Sequence, residues 1–229
     1  VKYDGTFETR AGIKDDRAVY TEENAGHEYD AIIGLAAAAR TLKEYNPDLA
    51  ARCLKAATNL WNMPREVKRF SQFAQIKAAS ELMVTTGDKV YRDFLIQKKD
   101  TIAKYIQPVA WMVVRTLPLI DDAGYKAALQ EALKKLTNDI TAQGKETPYG
   151  VPYRPYIWGA GWGIQEFGVQ QYFLAKYVPD LFTYEYMFNA LNFLLGCHPG
   201  ENTASFASGV GAKSATRAYG FNRGEYSYI

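Results

Sequence analysis

Phe73-Ala74-Gln75-Ile76-Lys77-Ala78-Ala79-Ser80-Glu81-Leu82-Met83-Val84-Thr85-Thr86-Gly87-Asp88-Lys89-Val90-Tyr91-Arg92-Asp93-Phe94-Leu95 reads as two helices joined by a tight turn. Phe73, Ile76, Ser80 and Met83, with Ala79 and Leu82 alongside, recur at the three-and-four spacing that lines one helix face. Thr86-Gly87-Asp88 stops the first helix. Gly87 suits the left-handed C′ position, and Asp88 is placed to cap the second helix. Tyr91, Phe94 and Leu95 then form the inner face of that helix.

The same grammar extends in both directions. Upstream, Ile32, Leu35, Ala39 and Leu42 form a stripe that ends at Tyr45-Asn46-Pro47. Asn46 is an N-cap for the next helix and Pro47 suits its first turn, where a missing N–H is harmless. Ala50, Cys53, Ala57 and Leu60 give that helix its buried stripe, and Met63-Pro64 ends it. Downstream, a helix over about 101–116 pairs with one over 122–143 carrying Tyr125, Leu129, Leu133, Leu136 and Ile140. Leu117-Pro118 lies between them. Pro108 is expected to kink or break the first of this pair. A further pair spans about 163–177 and 183–195. No stretch alternates convincingly as a strand, so the chain is all-α, with about four successive hairpins. Each hairpin has an apolar face it cannot bury alone, so hairpins stack into a solenoid or close into a ring. There is no fixed-period repeat, and unequal hairpins with ornate loops favour a ring with an active face.

The 229 residues fit one large domain. They divide into a polar lead-in over 1–26, helical hairpins over 27–143, and helices with cleft-forming loops over 144–229. The last part holds twelve of the eighteen glycines, ten of the seventeen tyrosines and two of the four tryptophans. Regular scaffold comes first, and a loop-rich surface with a task follows. A net charge of +2 gives no reason to expect nucleic acid or an anionic membrane as partner. The most apolar run, Ala31–Ala39, is nine residues, far short of the ~20 a helical span needs. Cys53 and Cys197 could form at most one bridge, so no disulfide framework holds the fold.

Trp158-Gly159-Ala160-Gly161-Trp162-Gly163 precedes Ala190-Leu191-Asn192-Phe193-Leu194-Leu195-Gly196-Cys197-His198-Pro199, and Ser205-Phe206-Ala207-Ser208-Gly209-Val210-Gly211-Ala212-Lys213-Ser214 follows. That order resembles glycoside hydrolase family 9. There a tryptophan loop precedes a helix ending in Leu-Leu-Gly-x-x-Pro, and a glycine-rich segment ending in Lys-Ser enters the cleft. The junction Ala78–Tyr91 is similar to those of (α/α)6-toroid glycosidases. The resemblance implies that this chain is an incomplete set of hairpins from such a toroid, a middle-to-C-terminal portion of one catalytic module. Family members of the cellulase branch carry Asn-Pro-His-His-Arg after Lys-Ser. Here Ala215-Thr216-Arg217-Ala218-Tyr219-Gly220-Phe221-Asn222-Arg223 stands instead, without a histidine pair, which points to a sugar or linkage other than cellulose. The family's Asp-Ala-Gly-Asp base motif is expected before Val1 and its acid glutamate beyond Ile229, so these residues alone are expected to be inactive.

Trp158 and Trp162 are read as saccharide-stacking residues, since a sugar's C–H face suits an indole and the glycines around them thin the packing. Tyr153 and Tyr156, held between Pro152 and Pro155, have similar standing. Arg154, Arg217 and Arg223 suit sugar hydroxyls or a uronic carboxylate, with bracing of their own loops as the other reading. Tyr219 and Glu225 complete the expected binding set; the family's acid comes later than Glu225. Trp61 and Trp111 fall on helical stripes and read as core. His198 reads as a side chain capping a helix end, and Asp121-Asp122 as a helix start. No catalytic residue is assigned within the chain.

The resulting expectation is a hydrolase acting on β-linked oligo- or polysaccharide through an inverting Asp base and Glu acid. Its type is endoglucanase, exo-glucosidase or exo-glucosaminidase. The alternatives are a noncatalytic helical protein that binds glycans or partners through the same loops, and a polysaccharide lyase with a Tyr or His base. No cofactor is expected to be required. Calcium occurs in relatives, but no acidic loop here places it. The expected partners are the saccharide and the rest of the same polypeptide, with no nucleic acid and no membrane span. Secretion or a periplasmic location follows from the resemblance alone.

Overall fold

Asn24 accepts the backbone N–H of His27 and opens α1 (Ala25–Leu42). The structure is a computed structural model that describes residues 24–68, 71–152, 160–201 and 203–214. Tyr29, Ile32, Ala36 and Ala39 give α1 a buried stripe at three-and-four spacing. Asn46 then accepts the N–H of Leu49, Pro47 sits in the first turn, and α2 (Pro47–Asn62) folds back on α1. Only Ala50 and Ala57 of α2 are fully buried. This is the one-sided burial of a helix on the outside of a layer.

In contrast, α3 (Ser71–Thr86) buries six consecutive residues, Ala78 to Met83. A helix covered all round lies inside. Its polar residues there are satisfied. Ser80 Oγ donates to the Ile76 carbonyl at 2.8 Å. Glu81 Oε2 and Oε1 receive Arg115 Nη1 at 2.5 Å and Nη2 at 3.3 Å, and Arg40 Nη1 lies 2.5 Å from Oε1. Gly87 takes φ +70° and ends the helix as expected. Asp88 stands at the N-cap of α4 (Lys89–Gln97) but its carboxylate makes no capping bond. Its own N–H instead donates to Thr86 Oγ1, so the turn is closed from the other side.

The helix expected over 101–116 is two. α5 (Lys99–Lys104) stops before Pro108, and α6 (Ala110–Val113) resumes beyond it and tightens to a 3-10 turn over Val114–Thr116. Proline supplies no N–H and its ring crowds the preceding turn, which breaks the helix rather than kinking it. Asp122 accepts the Tyr125 N–H at 2.6 Å and opens α7 (Ala123–Gly144). All five residues of the expected α7 stripe are buried. α8 (Ala160–Tyr177) and α9 (Glu185–Leu194) form the last hairpin.

The inner helices pack in chain order: α1 on α3, α3 on α6 and its 3-10 turn, and these on α8. Thr85 Oγ1 donates to the Ala36 carbonyl and receives Arg40 Nη1, so α1 and α3 run the same way. The hairpins therefore alternate up and down. Turns of two to seven residues (43–46, 87–88, 117–122 and 178–184) gather at one end. The described residues of the other connections, 63–68, 105–109 and 145–152, and those after α9, 195–201 and 203–214, gather at the other. The two longest connections, between α2 and α3 and between α7 and α8, share one face of the arc. Trp61 meets Tyr29, Tyr91 and Phe94 edge-on, as a core indole does. Trp111 is half-buried beside Phe173.

Candidate functional site

The long-loop face is built on the end of α9. Gly196, at φ +69°, lets the helix close on itself: its N–H donates to the Phe193 carbonyl and the Cys197 N–H to that of Asn192. This is the Schellman arrangement. A Cβ at Gly196 would strike the Thr203 carbonyl. His198 does not cap the helix. Its Nδ1 accepts the Gly200 N–H at 3.1 Å, and its ring stacks on Phe193 at 5.4 Å. The left-handed glycine had already satisfied the helix end, so the imidazole braces the following turn.

Residues 203–214 then double back over that end. Phe206 N–H donates to the Leu194 carbonyl and Ala212 N–H to the Leu195 carbonyl, both at 2.8 Å. Ser205, nearly buried, donates its N–H to the Lys213 carbonyl at 2.7 Å. Its Oγ donates to the Ala207 carbonyl and accepts the Ala207 N–H. Gly211 sits at φ +90° where a side chain would meet the Leu195 carbonyl and Ser205. With its backbone tied this closely to α9, the loop turns Phe206 outward, 60% exposed.

Phe206 lies against Gly161 in the first turn of α8, where a Cβ would approach its ring to 2.9 Å. The next residue, Trp162, is 80% exposed. Behind them Phe206 stacks on Phe193 at 5.8 Å, and Tyr149 meets Phe193 and His198 edge-on at 5.2 and 4.7 Å. Asn189 Nδ2 donates to the Gly150 carbonyl and anchors the loop that carries Tyr149. A small core of Val151, Ile164 and Ala190 supports this array from beneath. The arrangement is a firm aromatic rim with one indole standing free of it, suited to a flat, partly apolar ligand that also carries hydrogen-bonding groups.

Of the expected binding residues, Trp162 is on this rim, in a helical turn rather than the loop the sequence suggested. Tyr153, Arg154, Tyr156, Trp158, Arg217, Tyr219, Arg223 and Glu225 lie outside the described residues. Phe206, Phe193, Tyr149 and His198 were missed as a group. The available signal was steric: Gly161 and Gly200 are spaces that these rings fill. Asp122 is a capping residue, and Asp121, at the short-turn end, is held below the ordinary carboxylate range by the hydrogen bond from Lys126. Among the described residues no three His, Cys, Asp or Glu side chains are grouped to hold a metal ion. Cys53 and Cys197 are both free. Among the described helices none is long and apolar enough to cross a membrane.

Comparison with known proteins places this arc. The family model for glycosyl hydrolase family 9 matches residues 6–220. A metagenome-derived glycoside hydrolase family 9 endoglucanase is 20% identical, with a TM-score of 0.66 over 84% of this chain and 40% of its own. AaCel9A in complex with cellobiose-like isofagomine is 15% identical, with a TM-score of 0.67 over 88% of this chain and 43% of its own. A single-mutant thermostable endoglucanase from Alicyclobacillus acidocaldarius is 14% identical, with a TM-score of 0.64 over 85% and 42%. The chain thus spans about two-fifths of the length of these structures. A search of curated proteins gave no match. The inner and outer helices follow the course of (α/α)6 toroids, and with a family match running almost from end to end, the chain belongs to glycosyl hydrolase family 9.

Proposed function

We propose that this chain forms the saccharide-gripping wall of a glycoside hydrolase acting on β-linked oligo- or polysaccharide. The observation that carries the reading is Trp162, four-fifths exposed in the first turn of α8, where its chain neighbour Gly161 lies against the outward-facing Phe206 and the stacked rings behind it. Trp162 on α8 and Phe206 on its braced loop are exposed aromatic rings held in place by the fold, and a ligand that covers them removes apolar area from water. A sugar's C–H face stacks on such rings while its hydroxyls reach the backbone and polar groups around them. The glycines that shape the rim bring backbone N–H and C=O groups close to the ligand surface.

The chemistry is inverting hydrolysis by two carboxyl groups supplied from outside these 229 residues. An acid glutamate protonates the leaving oxygen, and an aspartate base activates a water on the opposite face of the sugar, with ~6.5–9.5 Å between them. This chain's residues hold and orient the sugar, with Arg154, Arg217 and Arg223 taking hydroxyls or a carboxylate substituent. The Ala215–Arg223 segment, where the cellulase branch has its histidine pair, favours a substrate other than plain cellulose. Such polymers are extracellular, which supports secretion or a periplasmic location.

The test is activity of the full-length product on a panel of β-linked glucans and amino-sugar oligomers, paired with binding by the Trp162→Ala variant. Hydrolysis of at least one substrate is expected, with affinity falling roughly threefold to tenfold in the variant. Binding without hydrolysis by any substrate would put a noncatalytic glycan-binding protein in its place. Unchanged affinity in the variant would remove the rim from the reading.

A further inference from the structure

His198, half-buried two residues beyond Gly196, holds the turn and the ring array at once. Its Nδ1 accepts the Gly200 N–H at 3.1 Å. Its ring lies on Phe193 at 5.4 Å and meets Tyr149 at 4.7 Å. Gly200 leaves the room for this, since a Cβ there would approach the Tyr149 ring to 2.7 Å and the imidazole to 3.1 Å. Phe193 in turn stacks on Phe206 at 5.8 Å. The outward-facing Phe206 is therefore backed by a line of rings that ends at His198.

Imidazole alone meets both demands. Asn and Asp accept an N–H two residues on, but have no ring to stack. Phe has no acceptor, and the indole nitrogen of Trp is a donor. Imidazole accepts only while Nδ1 carries no proton; in the charged form both ring nitrogens are donors. An N–H at Nδ1 facing the Gly200 N–H is repelled, so protonation unfastens the ring from the turn. The last turn of α9, Ala190–Leu194, carries no titratable group. The other elements around the ring carry Lys145, Glu146 and Tyr149 on the connection from α7, Cys197 and Glu201 in the turn itself, and Lys213 on the doubled-back loop. Such neighbours move the pH at which the change falls; its direction is set by the bond to Gly200.

We propose that His198 is a positioning residue of the saccharide rim and makes the rim's grip depend on a neutral imidazole, which rests on the reading of the rim given above. His198 does not touch the sugar. It fixes Phe193, and through Phe193 the ring of Phe206 that lies against Gly161 in the first turn of α8. With Nδ1 protonated, the imidazole leaves its stack, Phe206 loses its backing, and the sugar is held less tightly. The grip is full at neutral pH and weakens in acid.

The test is calorimetric binding of two uncharged disaccharides, cellobiose and di-N-acetylchitobiose, to the full-length product. It is run at about pH 7.5 and about pH 5, on either side of the range in which histidine side chains change charge. The parent is expected to lose affinity about threefold to tenfold at the lower pH. His198→Phe keeps a ring on Phe193 and removes the acceptor. It should bind at about pH 7.5 as weakly as the parent does at about pH 5, with no further loss in acid. His198→Asn keeps an acceptor for the Gly200 N–H and carries no titrating group. It should bind more tightly than His198→Phe at both pH values and lack the parent's acid loss. A packing role would give the opposite order, with Phe the better replacement. The proposal is overturned if the parent binds equally at both pH values, if His198→Asn keeps the parent's acid loss, or if Phe rescues better than Asn. Should His198→Phe fail to fold, the first two outcomes still decide. If neither disaccharide binds, or Trp162→Ala binds as tightly as the parent, the rim reading falls and the role of His198 with it. Binding that depends on Trp162 but not on pH or on residue 198 overturns the His198 proposal and leaves the rim reading standing.

Discussion

The core between the hairpins and the small core under the rim are held by different forces. The first joins Ile32, Ile76, Leu82, Leu95, Val113, Leu129 and Leu133 with closely packed alanines, contributed by α1 to α8. Its stability comes from apolar area removed from water. The second has Val151, Ile164 and Ala190 alone at its centre. The rim above it is held by backbone hydrogen bonds from 203–214 to the end of α9 and by glycines that leave room for rings. The lesson is a division of labour: the scaffold tolerates loop change, and the rim depends on geometry at a few backbone positions.

The sharpest way to break this division is inside the scaffold. Glu81 is 2% exposed and is the shared partner of Arg115 and Arg40. Glu81→Ala leaves the buried Arg115 charge uncompensated, which costs about 3–5 kcal/mol in comparable sites. Urea unfolding should show that loss across the whole transition. A rim effect without global destabilisation would show that the two regions are coupled otherwise.

Alkaline pH probes the same core more gently. Burial pushes the Tyr125 hydroxyl up to about 12, against a hydrogen bond with Thr116 that lowers it. Its folded value exceeds the unfolded value of about 10, so its contribution is complete below pH 10 and is lost as pH rises towards 12. The loss is of order 2–3 kcal/mol. Tyr29 and Tyr91, also raised by burial, act in the same direction. Tyr125→Phe should flatten the fall in stability over pH 10–12, and an unchanged profile would remove Tyr125 from its cause.

Gly211→Ala moves to the rim. It forces a side chain into φ +90° against the Leu195 carbonyl, a strain of order 1–3 kcal/mol. Exchange in 203–214 should rise and saccharide binding fall, with the main unfolding transition little moved. Trp162→Ala is the smallest perturbation of stability, within about 0.5 kcal/mol for a site so exposed. If that variant lowered the melting temperature markedly, Trp162 would be a packing residue and the division would fail at its most exposed point.

Much of the scaffold was legible in the residues because helix faces are local. Three-and-four spacing marked the buried stripes of α1, α3 and α7, and Asn46, Asp122 and Gly87 marked helix ends through bonds to near neighbours. Pro108 announced a break, although the number of helices it left was settled by how α6 packs against α3 and α8. Asp88 shows the limit of local reading, since Thr86 competed for the same turn.

The membership of the rim was not legible in the sequence. The resemblance singled out the tryptophan and Lys-Ser segments and named the family. Which rings meet was a matter of residues far apart in the chain, Tyr149, Gly161, Phe193 and Phe206, brought together by the closure of α8 on α9. Sequence periodicity thus determined the helices and their buried faces, because each depends on contacts within about four residues. The exposure of Trp162 and the bracing of His198 were decided by tertiary structure, because burial and hydrogen-bond satisfaction depend on which distant elements arrive beside a side chain.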